Sequence, residues 1–193
     1  MKPSPEIKSM LAPLAALQQI IDQFNHQGVI IGGIAVSLLG KPRLTADVDA
    51  VLLLSTDEIP QLLDVARQVG VSPRLTDVEE FARRQRVVLL KHDETGIPID
   101  ISLGLLPFEV EAIERGQIHH LESLSVRLPT PEDLIILKAV AHRPKDLLDI
   151  QTIVETHPQL NQERIEYWVM QFAEALEMPE MWDDVVKILR GDA

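Results

Sequence analysis

Two aspartates, Asp47 and Asp49, alternate with apolar residues at the head of a run, Ala50 to Leu54, that contains no polar side chain. A strand turns successive side chains to opposite faces, so both carboxylates leave one face, about 6.6 Å apart along the chain. Val48 and Ala50 face the other way. Val51 to Leu54 then predicts a strand buried on both faces, as in an interior strand covered by helices. A core has no use for adjacent like charges: two carboxylates about 4 Å apart repel by roughly 4 kcal/mol at an effective dielectric near 20. A divalent cation turns that repulsion into attraction, so the pattern predicts an acidic strand mouth suited to a metal.

Upstream, Gly32 and Gly33 lie between the apolar Val29 to Ile31 and a helical-looking Ile34 to Leu39. Without Cβ atoms they let the N–H groups of a helix N-terminus come close to an anion. A Gly-Gly pair alone is more often only a tight turn. Its place ahead of an Asp-x-Asp strand gives it weight, and the two together predict a phosphate-and-metal site.

Downstream, Val87 to Lys91 and Ile97 to Ser102 read as strands joined by the turn-forming Asp93-Glu94-Thr95-Gly96. Asp100 sits between Ile99 and Ile101, where an unpaired carboxylate is costly to bury. Beside the Asp47/Asp49 strand it would lie about 5 Å from one of those acids and complete a carboxylate triad. Taken alone it reads as a capping or salt-bridged acid. The basic cluster Arg83, Arg84 and Arg86 ends a short helix predicted over Asp77 to Arg84, and a solvated face explains it more simply than a contact to phosphate or RNA.

The chain has 193 residues, no cysteine and a net charge of −12. It is long enough for a sizeable core, and it excludes disulfides and thiolate metal sites. Its longest uncharged apolar stretch, Val29 to Gly40, is too short to cross a bilayer, and no leader pattern opens the sequence, so a cytoplasmic location is expected. The acidity disfavours loose, charge-driven binding of nucleic acid. An RNA acceptor would need a local basic patch.

Helical spacing of Leu14, Leu17, Ile20, Ile21 and Phe24 predicts a packing helix over Pro13 to Gln27, and Ser55 to Glu58 starts another that runs to Val69. From Pro107 the chain changes character: a helix to Glu114, short strands at Gln117 to Leu121 and Ser125 to Leu128, and then helices. Thr130-Pro131-Glu132-Asp133 is a helix start with cap, proline and acids in the expected places. The segment it leads into, LKAVAHRPKDLLDI, holds Lys138, Arg143, Lys145, Asp146 and Asp149, with Pro144 breaking the helix near Arg143. Lys138 is suited to neutralising a nucleotide's phosphates, and Asp146 to orienting that lysine. Helix capping and i, i+4 pairing account for Asp149. Met178-Pro179 divides two tail helices, whose Tyr167, Trp168, Phe172 and Trp182 read as core or interface.

Gly32-Gly33-Ile34-Ala35, Arg43-Leu44-Thr45-Ala46-Asp47-Val48-Asp49 and the Lys138 to Asp146 segment occur together and in order. In this they resemble the polymerase-beta-like nucleotidyltransferases, and most of all the AbiEii-like toxin group, over roughly residues 28 to 155. The resemblance implies an α+β fold, a nucleotidyltransferase-like mixed sheet flanked by helices and followed by a helical C-terminal lobe. We expect a catalytic core over residues 1–106 and a lobe over 107–193 that completes the site. It also implies transfer of a nucleoside monophosphate from a nucleoside triphosphate to an acceptor hydroxyl, with pyrophosphate leaving. Asp47, Asp49 and Asp100 would hold two Mg2+ ions, Gly32 and Gly33 the phosphates, and Lys138 with Asp146 the remaining nucleotide contacts. An RNA such as tRNA as acceptor and a cognate antitoxin as protein partner follow from the toxin group. Two rivals remain: an enzyme acting on a small antibiotic-type hydroxyl, and a non-catalytic relative that binds nucleotide or a partner.

Overall fold

The computed structural model describes residues 8–122 and 124–191. Strands β1 (Gly28–Ile31), β2 (Val48–Leu52), β3 (Val71–Pro73), β4 (Val87–His92) and β5 (Pro98–Leu103) form one mixed sheet in the order β1-β2-β5-β4-β3. The β2–β5 pair is parallel and the others are antiparallel. Helix α1 (Leu11–Gln23) precedes β1, and α2 (Gly32–Leu39) follows it directly. Then come a 3-10 turn (Thr56–Glu58), α3 (Ile59–Gln68), α4 (Val78–Gln85), α5 (Pro107–Glu114) and a hairpin of β6 (Gln117–Leu121) with β7 (Leu124–Leu128). Four helices complete the chain: α6 (Pro131–Ala141), α7 (Pro144–Thr156), α8 (Gln162–Ala175) and α9 (Glu180–Arg190).

Residues up to Ile34 together with Arg43–Pro129 form one compact unit, and Ala35–Pro42 with the residues from Thr130 onward form a second. The hairpin and α5 therefore belong with the sheet.

In the first unit the sheet's two faces differ. Ile30, Val48, Ala50, Leu52, Val88, Leu90, Ile99 and Ile101 are inaccessible to solvent, and α1 and α3 pack on the sheet. Each such fully buried Val, Leu or Ile side chain contributes about 1.5–3 kcal/mol relative to exposure. The opposite face is half-open along β4 and β5, whose burial alternates residue by residue. It is closed only toward β1, where Val29 and Val51 pack with Ile113 of α5.

Several local features explain the turns. Helix α1 ends at Gln23, short of the expected Gln27, because Asn25 and His26 both take positive φ and break the helical ladder. Glu58 reaches back to the Ser55 N–H (2.8 Å) and hydroxyl (2.9 Å), which caps the turn before α3. Arg86 sits in the left-handed region (φ +54°) and donates to the Leu103 carbonyl at 2.9 Å. Arg83 pairs with Asp57 at 3.2 Å, and Arg84 pairs with Glu80. All three arginines of the basic cluster thus have structural partners.

In the second unit, Thr130 caps α6 by accepting from the Asp133 N–H at 3.2 Å, as its sequence predicts. Helix α6 stops at Ala141, His142 adopts φ +47°, and Pro144 opens α7. The proline separates the two helices as expected. Helix α9 packs on α7 and α8, and Met178-Pro179 lies at the break between α8 and α9.

Candidate active site

The half-open face of the sheet brings the acids together. Asp49 and Asp100 are direct partners on the parallel strands β2 and β5, and Ile31 stands opposite Asp49 on β1. Asp47 lies just ahead of β2, outside the strand, and its charge acts on Asp100. All three carboxylates are only partly buried, which leaves them open to a ligand.

Each acid has a distinct local anchor. The Thr45 hydroxyl donates to Asp47 Oδ1 at 2.9 Å, which ties the side chain to the turn entering β2. The Asp49 carboxylate packs against Gly32: a Cβ on that glycine would lie 2.8 Å from Asp49 Cγ and closer still to Oδ2. Gly32 also has φ +67°, a conformation glycine adopts without cost. A Cβ on Gly33 would collide with the Thr45 side chain, 2.8 Å from its Cβ. The glycine pair therefore has a steric reason at this bend, namely room for the site's own aspartate and threonine.

Asp100 makes an ion pair with Arg74, the residue that follows β3. Burial pushes its carboxyl above the ordinary value, Arg74 opposes that through its charge and hydrogen bond, and the negative charge of Asp47 adds to the rise. The charge of Asp47 is the smallest of these influences on Asp100. Among the described residues, no three acidic or imidazole side chains are arranged as a ready-made metal cage. The donor set nonetheless has the right chemistry for Mg2+: hard carboxylate oxygens on two adjacent strands, with a guanidinium already acting as a counter-cation.

Lys138 and Asp146 lie in the second unit. The lysine ammonium is 2.9 Å from Asp146 and 2.8 Å from Asp149, with 7% of its side chain exposed. Arg143 donates to Asp146 from its backbone N–H (3.3 Å) and its guanidinium (3.1 Å). For Asp146, burial acts to raise the pKa. The hydrogen bonds and charges of Arg143 and Lys138 outweigh it, and the carboxyl falls below its ordinary value. Asp149, read from sequence as a capping acid, is the second counter-ion of the lysine. Arg74 is the residue that sequence reasoning missed: it carries no local motif and meets its partner 26 positions away.

A family profile described as "Nucleotidyl transferase AbiEii toxin, Type IV TA system" matches residues 15–180. The chain belongs to this AbiEii family. It is a nucleotidyltransferase. Among solved structures, it resembles an antigenic nucleotidyltransferase-like protein from Paracoccidioides brasiliensis, with TM-score 0.56 and 16% identity over 95% of this chain and 94% of the other. It also resembles the antibiotic-resistance factor ANT(2'')-Ia, again with TM-score 0.56 and 16% identity, over 91% of this chain and 96% of that one. At such identities the likeness shows a shared fold, the expected mixed sheet flanked by helices. A comparison with curated protein sequences finds no match. No helix among the described residues is long and apolar enough to cross a membrane.

Proposed function

We propose that this AbiEii-family protein is a metal-dependent nucleotidyltransferase that moves a nucleoside monophosphate onto a hydroxyl of RNA, and that it acts as the toxin of a pair with a cognate antitoxin. The register of Asp49 against Asp100, with Asp47 just ahead of the same strand, carries the reading. Carboxylates gathered on an open sheet face suit a reaction in which charge must be neutralised on a triphosphate. Asp47, Asp49 and Asp100 would hold Mg2+, two ions in the full site. When bound, such ions neutralise phosphate charge and lower the pKa of the attacking hydroxyl.

The residues of this chain divide the remaining work. Thr45 keeps Asp47 turned into the site, and Gly32 gives Asp49 the space it needs. The bend at Gly32 and Gly33 offers backbone N–H groups at the start of α2 to the β- and γ-phosphates. The acceptor oxygen attacks the α-phosphorus in line, the bond to the bridging oxygen breaks, and pyrophosphate leaves with that electron pair. Asp100 would help hold the ion near the acceptor hydroxyl. Within the second unit, Lys138 is held by Asp146 and Asp149.

The test offers each α-labelled nucleoside triphosphate, with Mg2+, to purified RNA and to small antibiotic-type alcohols. Label on RNA is the expected result. Label on the small alcohol alone supports the antibiotic-type reading, which the fold shared with ANT(2'')-Ia keeps in view. Label that never leaves the nucleotide overturns the enzyme reading.

A further inference from the structure

Four strands align one residue each across the open face: Ile31, Asp49, Asp100 and Leu89. Arg74 continues that row. Its backbone N–H donates to the Leu89 carbonyl at 2.9 Å, and its guanidinium reaches past Leu89 to Asp100 Oδ1. The row thus runs apolar, acid, acid, apolar, base, with the base supplied by the residue that follows the edge strand β3.

The pair is also open. The side chains of Arg74 and Asp100 are 32% and 31% exposed, against 7% and 0% for Lys138 and Asp146. Water reaches the first pair, so its partners exchange without a buried charge being stranded. The long Arg74 stem follows a three-residue edge strand, is held at its backbone by Leu89 and at its tip by Asp100, and is partly open to solvent.

We propose that Arg74 is the resident counter-cation of the acidic site: it holds Asp100 in the row and yields that carboxylate when a divalent cation binds with Asp47 and Asp49. This inference rests on the metal-dependent reading above. Arg74 is a positioning residue, since it touches the carboxylate and no reacting atom. Two cations compete for one acid, so Arg74 sets the affinity of the site for the metal and prevents the carboxylates from repelling one another when no metal is bound.

The experiment measures Mn2+ binding to the full chain, without nucleotide, by the loss of the free-ion EPR signal. Arg74→Gln is expected to bind Mn2+ more tightly, by roughly two- to fivefold. Arg74→Lys, which keeps the charge, is expected to bind like wild type, and Asp49→Asn weakly. In the wild-type protein, NMR of the arginine Nε groups is expected to show one signal, missing from Arg74→Lys, that shifts as Mg2+ is added. This readout decides the matter even if Arg74→Gln does not fold. Equal Mn2+ affinity of Arg74→Gln and wild type, or an Arg74 signal indifferent to Mg2+, overturns the inference while leaving the metal site intact. If wild type binds no Mn2+ at all, the metal-dependent reading and this inference fall together.

Discussion

Gly32 and Asp49 constrain each other, because the carboxylate occupies the space a side chain at Gly32 would fill. Gly32→Ala therefore adds strain from both the φ of +67° and the clash, and should lower stability by about 1–3 kcal/mol in denaturant unfolding. Thr45→Val keeps the shape but removes the hydrogen bond to Asp47. If Asp47 holds metal as proposed, loss of such an outer partner should reduce transfer about 10- to 100-fold with little change in thermal stability. An unchanged rate would remove Thr45 from the site. Asp146→Ala leaves Lys138 buried with Asp149 alone, and should cost about 3 kcal/mol of stability. The same carboxyl carries a pH signature. Its folded-state pKa is lowered, so its stabilisation is present above the ordinary value of 3.8 and is lost as pH falls through the folded value. Wild type should therefore lose stability steeply in that acid window, and Asp146→Asn, though weaker throughout, should show a smaller fall there.

At the scale of elements, the informative strands were those whose residues speak locally. The alternation of Asp47, Val48, Asp49 and Ala50 ahead of an apolar run specifies β2 and its facing, and Asp100 between two isoleucines specifies β5. Their register was only half legible: the sequence put Asp100 opposite one of the two aspartates, and the sheet pairs it with Asp49. Helix starts at Ser55 and Thr130 and the break at Pro144 were equally legible, because a cap or a proline acts through its own neighbours. The edge strand β3, Val71–Pro73, was not, since three residues show no periodicity and the strand exists only through its pairing with β4. Arg74 stayed hidden for the same reason. The burial of Lys138 between two aspartates was half visible: its spacing to Asp146 and Asp149 could be read, but not that both carboxylates would close on the same ammonium.

For the whole molecule, the net charge of −12 governs how an RNA acceptor could be met. Binding to unstructured RNA should be no tighter than roughly 100 μM at physiological salt, since little counterion release is available to drive it. Fluorescence anisotropy checks this, and micromolar binding with a steep salt dependence would reveal a basic surface that outweighs the overall charge. Where binding is as weak as expected, recognition rests on the shape and ends of a structured RNA rather than on the charge of its backbone. The central claim is narrower than the choice of acceptor: three carboxylates from β2, its leading turn and β5 act as one site. Pyrophosphate release in the presence of nucleoside triphosphate, Mg2+ and RNA, measured for Asp47→Asn, Asp49→Asn and Asp100→Asn beside wild type, tests it most directly. The account predicts that all three variants fold and that each loses at least about 100-fold in rate, consistent with groups that act as a unit. Release at the wild-type rate from any one of them would contradict it.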